Sequence, residues 1–149
     1  MIRSVQFLRN VRGVSNAEIT DNAVRFRRGG VTVYFSDPIT TFKAKLHNLT
    51  ELPQEGRNDA RHLKILRLCI PLFLGAQLLS ADKTDAAAKQ SLRAIQRILK
   101  LSVSRVARRM PAELQFDWKE LIPIERLNKV RNGRIKNFRK LQFKRWLTR

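Results

Sequence analysis

The sequence predicts an α+β fold: a small antiparallel β-meander over about residues 17–47, then a mainly α-helical region ending in a basic helical tail. Three observations carry this. Apolar residues alternate around a Gly-Gly pair in "AVRFRRGGVTVYFSDP", apolar residues recur at helical spacing from Arg57 to Met110, and Lys and Arg crowd the C-terminal end. A length of 149 residues suits one compact domain, placed at 17–130, with a basic arm at 1–16 and a basic aromatic tail at 131–149.

The N-terminal arm, "MIRSVQFLRNVRGVSN", carries Arg3, Arg9 and Arg12, with Ile2, Val5, Leu8 and Val11 at threefold spacing. It has the character of an Arg-rich organellar address and lacks the long apolar core of a secretory signal. The expected location is therefore the mitochondrial matrix, with this N-terminus uncleaved; a plain basic helical arm is the other reading.

The hairpin comes next. A two-residue turn at Gly29-Gly30 pairs Arg28 with Val31, Phe26 with Val33 and Val24 with Phe35, which gathers the apolar residues on one face. Arg25, Arg27, Thr32 and Tyr34 fall on the other face. After an Asp37-Pro38 turn, "FKAKLH" alternates again, so a third strand is expected with Phe42, Ala44 and Leu46 inward and Lys43 and Lys45 outward. Residues 48–56 read as a loop or a single helical turn.

From Arg57 the period becomes helical, with Leu63, Leu66 and Ile70 inward and a break or kink expected at Pro71. The apolar run from Leu68 to Ala81 is shorter than the ~20 residues a bilayer span needs, so a core helix is expected. The segment from Ser80 to Met110 is the strongest helix, with Asp82, Thr84 or Asp85 as N-cap and Pro111 as its stop. Its expected core stripe is Leu92, Ile95, Leu99, Val103 and Val106. Lys89, Arg93, Arg97, Lys100 and Arg108 form a basic ridge roughly 130° around from it, without the acidic i,i+4 partners of a solvated face. A short helix from Glu113 to Leu121 follows, with Phe116 and Trp118 as anchors, then a break at Pro123, a further short segment, and an end at Asn132-Gly133.

The formal charge is +19, from 31 Lys and Arg against 12 Asp and Glu. Residues 31–88 hold seven basic and six acidic side chains, whereas residues 89–149 hold eighteen and four. A nearly neutral centre with basic extensions implies a polyanionic partner, RNA before an anionic membrane. In the tail, Arg131, Arg134, Lys136, Arg139, Lys140, Lys144 and Arg145 are interleaved with Ile135, Phe138, Leu141, Phe143, Trp146 and Leu147. An α-helical projection leaves no clean apolar stripe there, which disfavours a membrane-surface helix. Cations suit phosphates, and Phe138, Phe143 and Trp146 suit unstacked bases.

No catalytic pattern is present. "RRGGVT" lacks the spacing of a phosphate loop, and no metal is expected because Cys69 is the single cysteine and His47 and His62 have no ligands at metal spacing. A non-enzymatic chain with no cofactor is expected.

The stretch "GGVTVYFSDPITTFKAKLHNLTELPQEGRNDARHLK" resembles a supernumerary large-subunit family of small mitochondrial ribosomal proteins, in which a turn, a strand, a Pro and a Leu-rich link precede a basic helix. The similarity covers about a quarter of the chain, and the long helices of residues 57–110 depart from that short family. The resemblance implies rRNA binding and scaffolding among neighbouring proteins. Two alternatives stay open: an accessory subunit of a mitochondrial membrane complex, and a small viral matrix or nucleocapsid protein.

Overall fold

The computed structural model describes residues 11–148. Of the Arg-rich address, Ile2, Arg3, Val5, Leu8 and Arg9 therefore lie outside the described residues, whereas Val11 bridges to Val14 and Arg12 pairs with Glu51. Helix α1 (Asn16–Asp21) opens on Ser15, whose side chain accepts a hydrogen bond from the Glu18 amide. Strands β1 (Val24–Arg28) and β2 (Val31–Phe35) then pair antiparallel in the expected register, Arg28 opposite Val31 and Val24 opposite Phe35. Gly29 and Gly30 sit at φ 56° and 79°, the doubly positive turn that matches the twist of a tight hairpin.

Among the described residues the hairpin has no third strand. Residues expected to form it belong to α2 (Pro38–Glu51), so Lys43 and Lys45 stand on a helix and not on a sheet face. The physical reason is at the start of the segment. Asp37 accepts from the Thr40 amide at 2.7 Å and Pro38 occupies the first turn, which makes Asp37-Pro38 a helix N-terminus as readily as a turn. Ile39, Phe42 and Leu46 then recur at three and four and are fully buried. With no third strand or sheet above it, the hairpin exposes both faces, including Phe26 and Phe35 from the side expected to be buried.

Helix α3 (Asp59–Ser80) runs straight through Pro71, which removes one internal hydrogen bond without ending the helix. It buries Leu63, Ile70, Leu74 and Leu78 against α2 and α4 (Asp85–Ser102). Thr84 caps α4 by accepting from the Ala87 amide. The buried face of α4 is Ala88, Ser91, Ala94, Ile95, Ile98 and Leu101. That is rotated from the expected stripe: Leu92 and Leu99 are half-buried and Val103, just past the helix, is 52% exposed. Small residues at 88, 91 and 94 form part of the packed surface, so counting only large apolar residues misplaces the stripe.

Helix α5 (Arg105–Arg108) is capped by Ser104. In place of a helix over 113–121 there are two single 3₁₀ turns, Ala112–Leu114 and Trp118–Leu121. They carry Phe116 and Trp118 onto Phe42, with ring centroids 6.1 and 5.9 Å away in edge-to-face geometry. Arg67 lies over Phe116, 4.9 Å from its centroid, and also bonds Glu120. After α6 (Ile124–Lys129), Asn132-Gly133 opens a helix instead of only closing a segment. Asn132 accepts from the Arg134 amide to cap α7 (Gly133–Phe138).

The tail continues through a π-helical turn, Arg139–Phe143, into α8 (Lys144–Leu147). This turn explains the missing stripe. An α-helix would leave Phe138 and Phe143, five residues apart, on different faces, and the wider turn brings them back together. Their rings stack at 5.9 Å, Phe143 stacks on Trp146 at 5.7 Å, and Ile135, Phe138 and Phe143 are buried in the same core as α2, α3 and α4.

One buried acid ties two helices. Asp59, 1% exposed, receives Lys45 Nζ at 2.9 Å and Arg57 Nε at 2.6 Å, joining α2 to the first turn of α3. Burial works to raise its pKa, but the hydrogen bonds and charges of Lys45 and Arg57 outweigh it and hold the carboxyl below its ordinary value. The folded state therefore binds this proton less readily than the unfolded chain does. The resulting stability is present above the unfolded value of about 3.9 and is lost as pH falls through the lower folded one. In urea titrations, the stability gap between the natural chain and Asp59→Asn should be flat from about pH 7 to pH 5 and narrow below about pH 4. A gap that widens on acidification would contradict this assignment.

Candidate nucleic-acid interface

Among the described residues, half of the twelve acidic side chains, Glu18, Asp37, Glu51, Asp59, Glu120 and Asp85, are tied into ion pairs. Those pairs engage seven Lys and Arg residues: Arg12, Lys43, Lys45, Arg57, Arg67, Arg97 and Arg134. Most of the cations are left to shape the outer field.

The seventeen residues expected to bind RNA divide accordingly. Arg25 and Arg27 on the hairpin, Lys89, Arg93 and Lys100 on α4, Arg108 on α5, and Lys136, Lys140, Lys144 and Arg145 in the tail are exposed and outside any ion pair among the described residues. Arg131 is also exposed, its backbone N–H donating to Asp82 at 2.9 Å. The others hold the fold. Lys43 pairs with Glu18 at 2.7 Å, Lys45 with Asp59, and Arg139 donates to the carbonyls of Leu127 and Asn128 at the end of α6. Arg97, read as part of the ridge, turns inward to Asp37 (2.6 Å) and Thr40. Trp146 is not a free stacking platform. Its ring lies on Phe143, and its Nε1 donates to Ser102 Oγ at 3.1 Å. The exposed aromatics are on the hairpin instead, at Phe26, Tyr34 and Phe35.

Two grooves flank the exposed part of the ridge. One, of about 560 Å³, lies between the hairpin base, α3 and α4, and is lined by Arg25, Lys89, Arg93 and Arg97, with Asn22, Gln77 and Gln90 among its polar side chains. Asp21 and Asp37 also reach it, the latter neutralised by Arg97. The other, of about 420 Å³, lies between α4 and the tail and is lined by Lys89, Arg93, Gln96, Arg134, Asn137 and Gln142 together with the apolar Leu92, Phe138 and Leu141. Lys89 and Arg93 line both, so they form the crest between the two grooves. Arg134 enters the second groove already paired with Asp85 at 2.5 Å; its hydrogen bond and charge, with the nearby Lys89 charge, lower the Asp85 pKa, and Asp85 in turn raises that of Arg134.

Among the described residues two buried side-chain atoms have no hydrogen-bond partner, Gln77 Oε1 and Arg97 Nε, and both belong to residues lining the first groove. Reasoning from spacing overlooked Gln77, Gln90 and the exposed Arg28, Arg105 and Arg109. The glutamines carry no charge signal, while the arginines lie beside the turn or outside the helical repeat. Among the described residues no group of three His, Cys, Asp or Glu is placed to hold a metal ion. His47 instead meets Glu51 one helical turn away, at 3.0 Å. Set against family models, curated proteins and solved structures, the chain matches none of them.

Proposed function

We propose that this chain is a non-enzymatic RNA-binding structural subunit of a ribonucleoprotein, and that the particle is a mitochondrial ribosome. The observation that carries RNA binding is the Lys89–Arg93 crest, exposed, without ion pairs among the described residues and shared by two grooves. Grooves on either side of a cationic crest suit the two phosphate strands of a folded RNA, which is recognised chiefly through its backbone and shape. The freestanding hairpin adds Arg25, Arg27 and Arg28 beside exposed Phe26 and Tyr34, a combination that serves phosphates and unstacked bases together. Assignment of the particle rests on the Arg-rich N-terminus and the resemblance of residues 29–64.

The test is a salt titration of binding to a labelled RNA hairpin. Lys89→Gln/Arg93→Gln should leave the melting temperature unchanged and reduce the log-log salt slope by roughly two, at about 0.9 for each phosphate no longer neutralised. An unchanged slope would overturn the role of the crest. Nuclease treatment of an organelle lysate addresses the particle, and the chain should be released with ribosomal RNA. One observation favours the second reading, a membrane-complex subunit. Helix α3 is long and apolar enough to cross a bilayer, and 28% of its most apolar window is buried. Retention after nuclease and release only by detergent would support that reading.

A further inference from the structure

Helix α3 is apolar on two sides. One side is the core; the other presents Ile65, Leu68, Leu72, Ala76 and Leu79 to solvent, with Leu68 and Leu72 72% and 76% exposed. Their spacing of three and four places them in a single stripe, about 21 Å long at 1.5 Å per residue. A helix that is apolar all round is ordinarily enclosed all round. Beside Leu72 runs a groove of about 410 Å³ formed by Pro71, Gly75, Pro123 and Ile124 with Arg126 and Lys129. Gly75 is part of its construction. A Cβ there would meet the Arg126 guanidinium at 3.1 Å, so the absence of a side chain lets Arg126 lie across the helix backbone.

We propose that this stripe and groove receive an amphipathic helix of a neighbouring protein, one with acidic residues bordering its apolar side. Charge selects the occupant. Exposed Arg61 and Lys64 stand at the N-terminal end of the stripe, and Arg126 and Lys129 along its flank, against Glu125 alone in the groove lining. A second copy would bring the same cations into contact and add another +19, so self-association is opposed. Shape selects a helix over a bilayer, because a planar surface fills no groove beside a ridge, whereas side chains at i, i+3 and i+7 do. Area sets the context: a face about 21 Å long and one helix wide offers roughly 200 Å², far below the ~800 Å² per partner of an independent complex. The contact therefore belongs to an assembly whose other contacts hold the two proteins together. In that respect it rests on the ribonucleoprotein reading.

Photo-crosslinking of the full chain in its own cells tests this, with benzoylphenylalanine placed at Leu72 in one variant and at Gln90, beside the crest, in another. The Leu72 probe should yield adducts to a peptide of another protein that has apolar residues at helical spacing and flanking Asp or Glu. Adding Leu68→Ser and Leu79→Ser should reduce that adduct by roughly tenfold or more, since each removes one leucine from the interface. Lipid adducts, adducts to this chain itself, adducts to a peptide without that pattern, or no adduct would each overturn the proposal. The Gln90 probe reports separately: failure to capture RNA there counts against the ribonucleoprotein reading, whatever the Leu72 probe finds.

Discussion

A chain ending at Val130 should not fold. The tail supplies Ile135, Phe138 and Phe143, which are 0%, 5% and 3% exposed and belong to the same core cluster as Phe42, Ile70 and Ile98. Removing one buried Ile and two buried Phe side chains costs about 8–15 kcal/mol in total, taking roughly 2–5 for the first and 3–5 for each of the others. Domains of this size are stable by only about 5–15 kcal/mol. Truncation also removes Phe138 and Leu141 from beside the half-buried Leu92 of α4. Near-ultraviolet circular dichroism and a urea titration of residues 1–130 should show no cooperative transition. A truncated chain melting within a few degrees of the full one would sink this account. Tail truncation is thus a poor probe of RNA binding, because it removes the fold with the charges. Lys136, Lys140, Lys144 and Arg145 are exposed, and neutralising them separates charge from packing.

Arg97→Met should destabilise the fold strongly although Arg97 is a charged residue read as part of the ridge. Asp37 is 2% exposed and does two things at once: it caps α2 through the Thr40 amide and accepts from Arg97 Nη1 at 2.6 Å. Methionine keeps the length of the side chain and leaves the buried carboxylate without its cation. Breaking a buried pair from one side costs about 3–5 kcal/mol, most of it the uncompensated charge. Arg97→Met/Asp37→Ser should recover part of this, since serine still caps the helix and carries no charge. Urea unfolding of the single and double variants gives the comparison. A loss under about 1 kcal/mol for Arg97→Met would place the pair among weak surface ion pairs and return Arg97 to the crest.

The hairpin was legible in the sequence because two independent signals agree there. Alternation fixes which residues share a face, and Gly29-Gly30 fixes the turn, so the register of Val24 with Phe35 follows. Residues 38–51 show the opposite case. In "FKAKLH" the six-residue window satisfies both periods, and Ile39, just upstream, breaks the tie in favour of a helix. On α4 a helix was legible, with Thr84 one of three candidate caps, but its end at Ser102 in place of Met110 was not, nor was its orientation, because Ala88, Ser91 and Ala94 are buried for their small size. Of the candidate interface, the hairpin arginines and the Lys89–Arg93 crest were readable from charge and period alone. The inward turn of Arg97 was not, since Asp37 lies sixty residues away in the chain. The grooves were equally invisible, because each is bounded by segments distant in sequence, Val24 with Phe73 and Gln90 in one, Leu92 with Leu141 in the other.

The π-helical turn at Arg139–Phe143 also says something about the length of the chain. An α-helix that gains one residue keeps its flanking faces aligned by absorbing the extra residue in a wider ring. Leu141, within that ring, is 62% exposed and contributes little to the core. Without it, Phe138 and Phe143 would stand four apart, the ordinary spacing of neighbours on one helix face. The tail therefore has the geometry of a helix carrying a one-residue insertion.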